Sequence, residues 1–253
     1  MAVDAADSAY VAGNTESQYF PKTLLALQRK LKGFNIFVTK IAAQTFVSIS
    51  PPKRYLPTTL LGTTSATKTV LATNQGSGTL TINKIYIGGL DPGDFAETNT
   101  CGSAVAPGAS CTISVTFTPT DKTLRHAVLG ISDSDPASPQ AVPLSGFGTV
   151  VSLSKNKRSF GDEPVGTTSA PQKVTLTNVG SAQLNFTGIT ITGTNANDFS
   201  QTNTCGTSIA AVANCTITVT FKPTATGNRT AAVSISDDGG ASPQKVTLTG
   251  TGT

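Results

Sequence analysis

The feature that most constrains this chain is an internal duplication. Cys205 and Cys215 lie 104 positions after Cys101 and Cys111, and the same offset aligns "VSISPPKR" (47–54) with "VSLSKNKR" (151–158) and "ASPQAVPLSGFGT" (137–149) with "ASPQKVTLTGTGT" (241–253). No gap is needed, and about half of the aligned residues are identical. One folding unit is therefore present twice, and any fold assigned to the chain must be built twice within its 253 residues. Each copy is long enough to bury a modest core of its own.

Apolar residues in the second copy fall in short runs: Val174 and Leu176; Leu184 and Phe186; Ile189 and Ile191; Ile217, Val219 and Phe221; Ala231, Val233 and Ile235; Val246 and Leu248. The spacing inside every run is two, which means strands with one buried face and one wet face, as in an antiparallel sheet packed on a second sheet. Turn-forming segments separate the runs: "GLDPGD" (89–94), "GTNAND" (193–198), "SDSDPASP" (132–139) and "SDDGGASP" (236–243). The composition, 6% aromatic and 13% charged with no Trp, agrees with a β-rich, turn-rich chain. About seven such strands per copy predict an immunoglobulin-like β-sandwich. The expected architecture is all-β: two tandem sandwiches over 46–149 and 150–253, placed end to end with restricted motion because no linker separates Thr149 from Val150. Pro143 stands where the second copy has Thr247, so its strand is expected at a sheet edge or beside a gap in pairing.

Cys111 shares parity with Ile113, Val115 and Phe117, and Cys215 with Ile217, Val219 and Phe221, which turns both toward the core. Nine residues lie between Cys101 and Cys111 and between Cys205 and Cys215, enough for each pair to close a local disulfide. Buried free thiols are the alternative reading. Zinc is disfavoured because its sites use closer cysteines and further ligands, and His126 is the sole histidine.

Candidate chemistry is sparse. His126 is replaced by Thr230 in the second copy, so the shared fold does not require it, and no G-x-S-x-G motif accompanies it. Asp94 and Asp198, aligned in the "DF" pairs, sit in turns where Asp commonly caps backbone N–H groups. Asp133 and Asp135, echoed by Asp237 and Asp238, invite a Ca²⁺ reading, but the Gly and distal Glu of a calcium loop are missing. No residue is assigned to catalysis, a cofactor or a metal, and the chain is read as non-enzymatic.

The net charge of +4 is spread out, with six basic and six acidic residues in 46–149 and seven and five in 150–253, so a nucleic acid partner is not expected. Apolar runs are too short for a membrane span. A glycan partner would want aromatic platforms on one face, and of the four tyrosines only Tyr55 and Tyr86 lie in the duplicated region. The expected partner is an unidentified protein, met by strand addition at sheet edges or by end loops.

Residues 46–253 resemble the bacterial choice-of-anchor D repeats, grouped with ASH-type immunoglobulin-like domains and similar in fold to PapD and major sperm protein domains. The resemblance rests on "GTTS", T-N-x-G (Thr177 to Gly180), "DF", the cysteine pair, V-x-F-x-P and S-P-Q-x-V-x-L-x-G as a set. The first copy departs from it at "YLPTTLLGTTS" and "NQGSG", so its first strands are expected to pack less regularly. The resemblance implies non-enzymatic modules of surface or secreted bacterial proteins, with cytosolic ciliary or centrosomal scaffolds as the eukaryotic alternative.

Residues 1–45 resemble a single SBBP repeat of the β-propeller type, through Val3-Asp4-Ala5, Ala9-Tyr10-Val11, Gly13, Phe20-Pro21, Gln28 and Phe37-Val38-Thr39-Lys40. One such repeat cannot bury its faces alone. The alternative is a helix over Leu24 to Lys32 beside two strands. The opening "MAVDAADSAYVAG" lacks the pattern of a secretory signal, while paired cysteines suit an oxidising compartment. Both fit the C-terminal part of a longer protein, extracellular or at the cell surface, with the cytoplasm as the alternative.

Overall fold

A computed structural model describes residues 2–3, 9–15, 35–41 and 44–253. Strands β1 (Ala2–Val3), β2 (Ala9–Thr15) and β3 (Asn35–Ile41) form an antiparallel sheet in the order β1-β2-β3. The strands expected at 9–11 and 37–40 fall within β2 and β3. The helix expected at Leu24 to Lys32 lies outside the described residues, as do Asp4, Ala5, Phe20-Pro21 and Gln28.

The first copy runs through β4 (Val47–Ser50), β5 (Arg54–Tyr55), β6 (Thr59–Leu60), β7 (Lys68–Asn74), β8 (Leu80–Gly88), β9 (Phe95–Asn99), β10 (Ala104–Val105), β11 (Ser110–Phe117), β12 (Leu124–Asp133) and β13 (Gln140–Thr149). The order in one sheet is β4-β7-β11-β9; in the other it is β10-β8-β12-β13-β5, with β6 also on β13. The second copy repeats this through β14 (Val151–Leu153), β15 (Lys157–Glu163), β16 (Gln172–Asn178), β17 (Leu184–Thr192), β18 (Phe199–Asn203), β19 (Ser208–Ile209), β20 (Asn214–Phe221), β21 (Gly227–Asp237) and β22 (Gln244–Gly252). Its sheets are β14-β16-β20-β18 and β15-β22-β21-β17-β19. Setting aside the short β10 and β19, four strands face three in each copy, and the three gain a further edge piece (β5 with β6, or β15) from a first strand split between the sheets, which is an immunoglobulin-like arrangement.

Two cores result. Ile113, Val115, Phe117, Leu129, Ile131 and Val142 are buried in one, and Ile217, Val219, Phe221, Val233, Ile235 and Val246 in the other. The alternation read from the sequence is the alternation of burial along β11 and β20. Leu184 and Phe186 are even-numbered, whereas Ile189 and Ile191 are odd. A bulge between Phe186 and Gly188 explains this, because one extra residue flips the face while the strand continues as β17. Phe117 lies against Gly146, where an added Cβ would come within 2.7 Å of the ring, so that strand position must be glycine.

The copies differ at their first strands. β15 pairs in parallel with β22 from Lys157 to Glu163, whereas in the first copy only Arg54–Tyr55 and Thr59–Leu60 pair with β13, on either side of Pro57. Pro143 explains part of this. Its counterpart Thr247 donates its N–H to Asn156 O at 2.9 Å, a bond proline cannot make, and the pairing of β5 begins only at Leu144.

Candidate functional site

The cysteine pairs are disulfides, Cys101–Cys111 and Cys205–Cys215, with Cα atoms 4.8 and 4.9 Å apart. All four residues are buried. Each bond ties the start of β11 or β20 to the connection in which β10 or β19 crosses to the other sheet's edge. It holds the loop that changes sheets, a structural task.

Asp94 and Asp198 are not simple backbone caps. Each ends a short 3-10 turn, Pro92–Asp94 or Ala196–Asp198, and is buried against an arginine one strand away. Arg125 Nε lies 2.6 Å from Asp94 Oδ2, and its Nη2 lies 2.7 Å from Asp91 Oδ1. Thr120 Oγ1 donates to Asp94 Oδ1 at 2.8 Å. In the second copy Arg229 pairs with Asp198, while Thr224 gives Asp198 Oδ1 both its hydroxyl, at 2.7 Å, and its N–H, at 3.1 Å. Asn195 replaces Asp91 and keeps the bond to the next strand, accepting from Thr230 N at 2.9 Å. Burial alone would raise both carboxyls, but for Asp94 the Thr120 hydroxyl and Arg125, and for Asp198 Arg229 and Thr224, hold them below the usual carboxylate range. Arg125 and Arg229 recur in "LRHAV" and "NRTAA", which otherwise share only the inward Ala127 and Ala231, and this is the sequence signal that identifies them.

The remaining acids organise loops. Asp135 Oδ2 accepts Val47 N at 2.8 Å, and Asp133 Oδ1 accepts Asp135 N at 2.8 Å. In the second copy Asp237 Oδ1 accepts Gly239 N at 2.8 Å, and Asp238 accepts the backbone and side-chain nitrogens of Asn185 at 2.9 and 2.8 Å. Burial pushes the Asp133 and Asp237 carboxyls up, and the neighbouring Asp135 and Asp238 add to it. Among the described residues, no three His, Cys, Asp or Glu side chains converge as metal ligands.

Where the copies meet, their loops diverge. Lys122 Nζ donates to Asp238 O at 2.6 Å, and Gly239 O accepts both Thr149 Oγ1, at 3.1 Å, and Val150 N, at 2.8 Å. Gly240, at φ +88°, lies against the carbonyls of Lys122 and Gly148, and a Cβ there would collide with both. Asp135-Pro136 occupies the equivalent places in the first copy. The second copy therefore has a glycine, Gly240, where it approaches the first, whereas a Cβ on Gly239 would meet Val151 and Leu184 of its own copy.

The larger sheets also differ on their outward faces. In the first copy Tyr55, Phe147, Leu124 and Tyr86 point outward and are 66%, 41%, 40% and 38% exposed. Lys53 Nζ lies 5.3 Å from the centre of the Tyr55 ring, and Lys84 Nζ lies 5.5 Å from that of Tyr86. Tyr86 packs over Gly130, its partner on β12. The corresponding residues of the second copy are Ser159, Thr251, Asn228 and Thr190, and the same region there is an open polar groove of about 320 Å³ lined by Lys157, Ser159, Arg229, Thr230, Thr249 and Thr251, among others. His126 lies on the first copy's outward face, between Leu124 and Val128. The spacing rules identified the inward residues and passed over this face, whose signal is the mismatch between copies.

A family model described as HYDIN/CFA65/VesB-like, Ig-like domain matches residues 149–251, the second copy. No curated protein matches the chain. Among solved structures, a protein of unknown function from Porphyromonas gingivalis W83 is similar over 81% of this chain and 99% of its own, at 12% identity and a TM-score of 0.35. The secreted serine protease VesC from Vibrio cholerae aligns over 71% of this chain and 46% of its own, at 14% identity and a TM-score of 0.34, so this chain spans under half of VesC. The ASH / PapD-like domain 7 of human CEP192 aligns over 42% of this chain and 86% of its own, at 14% identity and a TM-score of 0.31.

Proposed function

We propose that the chain is a non-enzymatic spacer and protein-interaction module, built of two domains, 46–149 and 150–253, held end to end in a secreted or surface-exposed bacterial protein of the choice-of-anchor D type. In this reading 1–45 is part of an SBBP-type propeller blade belonging to a larger assembly. The observation that carries it is the joint: Gly240 stands where the first copy has Pro136 and lies against the carbonyls of Lys122 and Gly148, while Lys122 Nζ and Thr149 Oγ1 donate to the Asp238 and Gly239 carbonyls across it. A flexible tether would need none of these contacts. The immunoglobulin-like match over 149–251 supports the fold of the distal domain. The two buried disulfides support an oxidising compartment, since glutathione keeps most cytosolic thiols reduced.

Rapid alkylation of the protein in its producing cells, followed by mass spectrometry, tests the compartment. Unmodified Cys101, Cys111, Cys205 and Cys215 recovered as two intrachain disulfides are expected. Alkylation of all four would place the chain in a reducing compartment and remove this support.

A further inference from the structure

Duplication supplies an internal control for which residues the fold requires. On β12 and β13 the inward residues Ala127, Ile131, Val142, Leu144 and Gly146 recur unchanged in the second copy, and Leu129 becomes Val233. At the outward positions 124, 126, 128, 130, 141, 143, 145 and 147 no residue recurs, and Ser132 alone on this side of β12 does, as Ser236. The second copy there carries mainly Thr, Ser and Asn and folds into the same sheet. Folding therefore does not require Leu124, Pro143 and Phe147 to be apolar, while Val128 becomes the smaller Ala232. The pairs Leu124–Phe147 and Val128–Pro143 flank His126–Ser145 on this outward face, and exposed apolar residues there that the fold does not demand mark an interaction surface.

We propose that this face of the first sandwich docks an acidic polypeptide segment in which two carboxylates flank apolar side chains. The proposal rests on the interaction-module reading above and names its partner's chemistry. Charge selects the partner. The acids beside this face, Asp91 and Asp94, are held by Arg125, so the lysines at its two ends, Lys53 and Lys84, are the charges it offers. A second copy of the chain would bring these lysines against their own equivalents, which disfavours self-pairing. Sugar rings and nucleobases would stack on the tyrosine faces, but an ammonium lies over Tyr55 and over Tyr86, and Gly130 backs the Tyr86 ring. The exposed edges of those rings, with Leu124, Val128, Pro143 and Phe147, suit aliphatic or aromatic side chains.

Register sets the length of the segment. Tyr55 pairs with Ser145, Ser145 with His126, and Tyr86 with Gly130, so the tyrosines stand three strands apart and four residues offset. At strand spacings of about 4.8 Å and rises of about 3.3 Å this diagonal is about 20 Å, the span of about six extended residues. Carboxylates five or six positions apart would therefore reach both lysines.

The test is selection of random dodecapeptides displayed on phage against the full chain. A parallel selection uses the chain carrying the second copy's residues, Tyr55→Ser, Tyr86→Thr, Leu124→Asn and Phe147→Thr, with the ¹H–¹⁵N spectrum of inward residues confirming the fold. Enriched peptides should carry two Asp or Glu five or six positions apart around apolar residues. They should bind the substituted chain about ten-fold more weakly, and lose a similar factor against Lys53→Glu with Lys84→Glu. Failure to enrich, enrichment of basic peptides, or equal binding to both chains would overturn the proposal. So would concentration-dependent dimerisation abolished by the four substitutions, or retardation of the chain by polygalacturonate when no peptide binds. Each of these outcomes leaves the end-to-end spacer standing, and loss of the spacer reading would show separately as independent tumbling of the two sandwiches.

Discussion

The two sandwiches share their interiors and differ on their surfaces, and the division shows what the fold requires. Both copies bury a phenylalanine against a glycine of the last strand, Phe117 on Gly146 and Phe221 on Gly250. Both close one disulfide, and both sink an aspartate beneath an arginine. These repeated features belong to folding. Among the features present in only one copy are the aromatic outward face of the first and the glycine joint of the second. These are where function is to be sought.

The comparison makes repeated features interchangeable in their effect. Arg125→Met and Arg229→Met each leave a buried carboxylate without its partner, and each should cost about 3 kcal/mol of its own sandwich's stability in denaturant unfolding. A large effect in only one copy would break the symmetry. Replacing either cysteine pair by alanine should cost about 2.5–3 kcal/mol in the corresponding sandwich, on the chain-entropy account of a loop this short. Gly146→Ala, which forces a Cβ into the Phe117 ring, should cost about 2 kcal/mol.

Acid should act on both copies through two opposing contributions, and the second copy adds Asp238, held low by its hydrogen bonds from Asn185, where the first has Ser134. Asp94 and Asp198 titrate below the ordinary aspartate value in the fold, so their contribution is complete above about pH 4 and is lost as pH falls through their folded values. Asp133 and Asp237 titrate above it, so their ionised forms cost stability at neutral pH, and that cost is relieved on mild acidification. Chemical denaturation across pH should show a maximum on the mildly acidic side and a fall below about pH 4. Asp133→Asn with Asp237→Asn should abolish the mildly acidic rise and keep the fall.

Exchanging the outward residues should matter least. Tyr55→Ser with Phe147→Thr should change the stability of the first sandwich by about 1 kcal/mol or less, because exposed positions contribute little. A cost comparable with that of the disulfide would mean the aromatic face serves the fold and would remove the basis for a docking surface.

Much of the fold was legible because two-residue periodicity is a local signal and duplication states it twice. The strands and the cysteine parity both follow from it. The bulge at Phe186–Gly188 was visible only as a change of parity, whose meaning depends on the partner strand β21. The Asp94–Arg125 pair escaped because it joins residues 31 apart across two elements, and no spacing rule reaches that far. The aromatic face escaped for another reason: outward positions carry no periodic constraint, and Tyr55, Tyr86, Leu124 and Phe147 are scattered until the register of β5, β8, β12 and β13 brings them together.

The most direct test of the account is the joint. Residual dipolar couplings of backbone amides, measured separately for 46–149 and 150–253 in one aligned sample, report whether the sandwiches share an orientation. A single alignment tensor fitting both sets, and splitting into two on Gly240→Val, is the result this account predicts. Two different tensors in the unaltered chain would mean that the sandwiches move independently, and would contradict it.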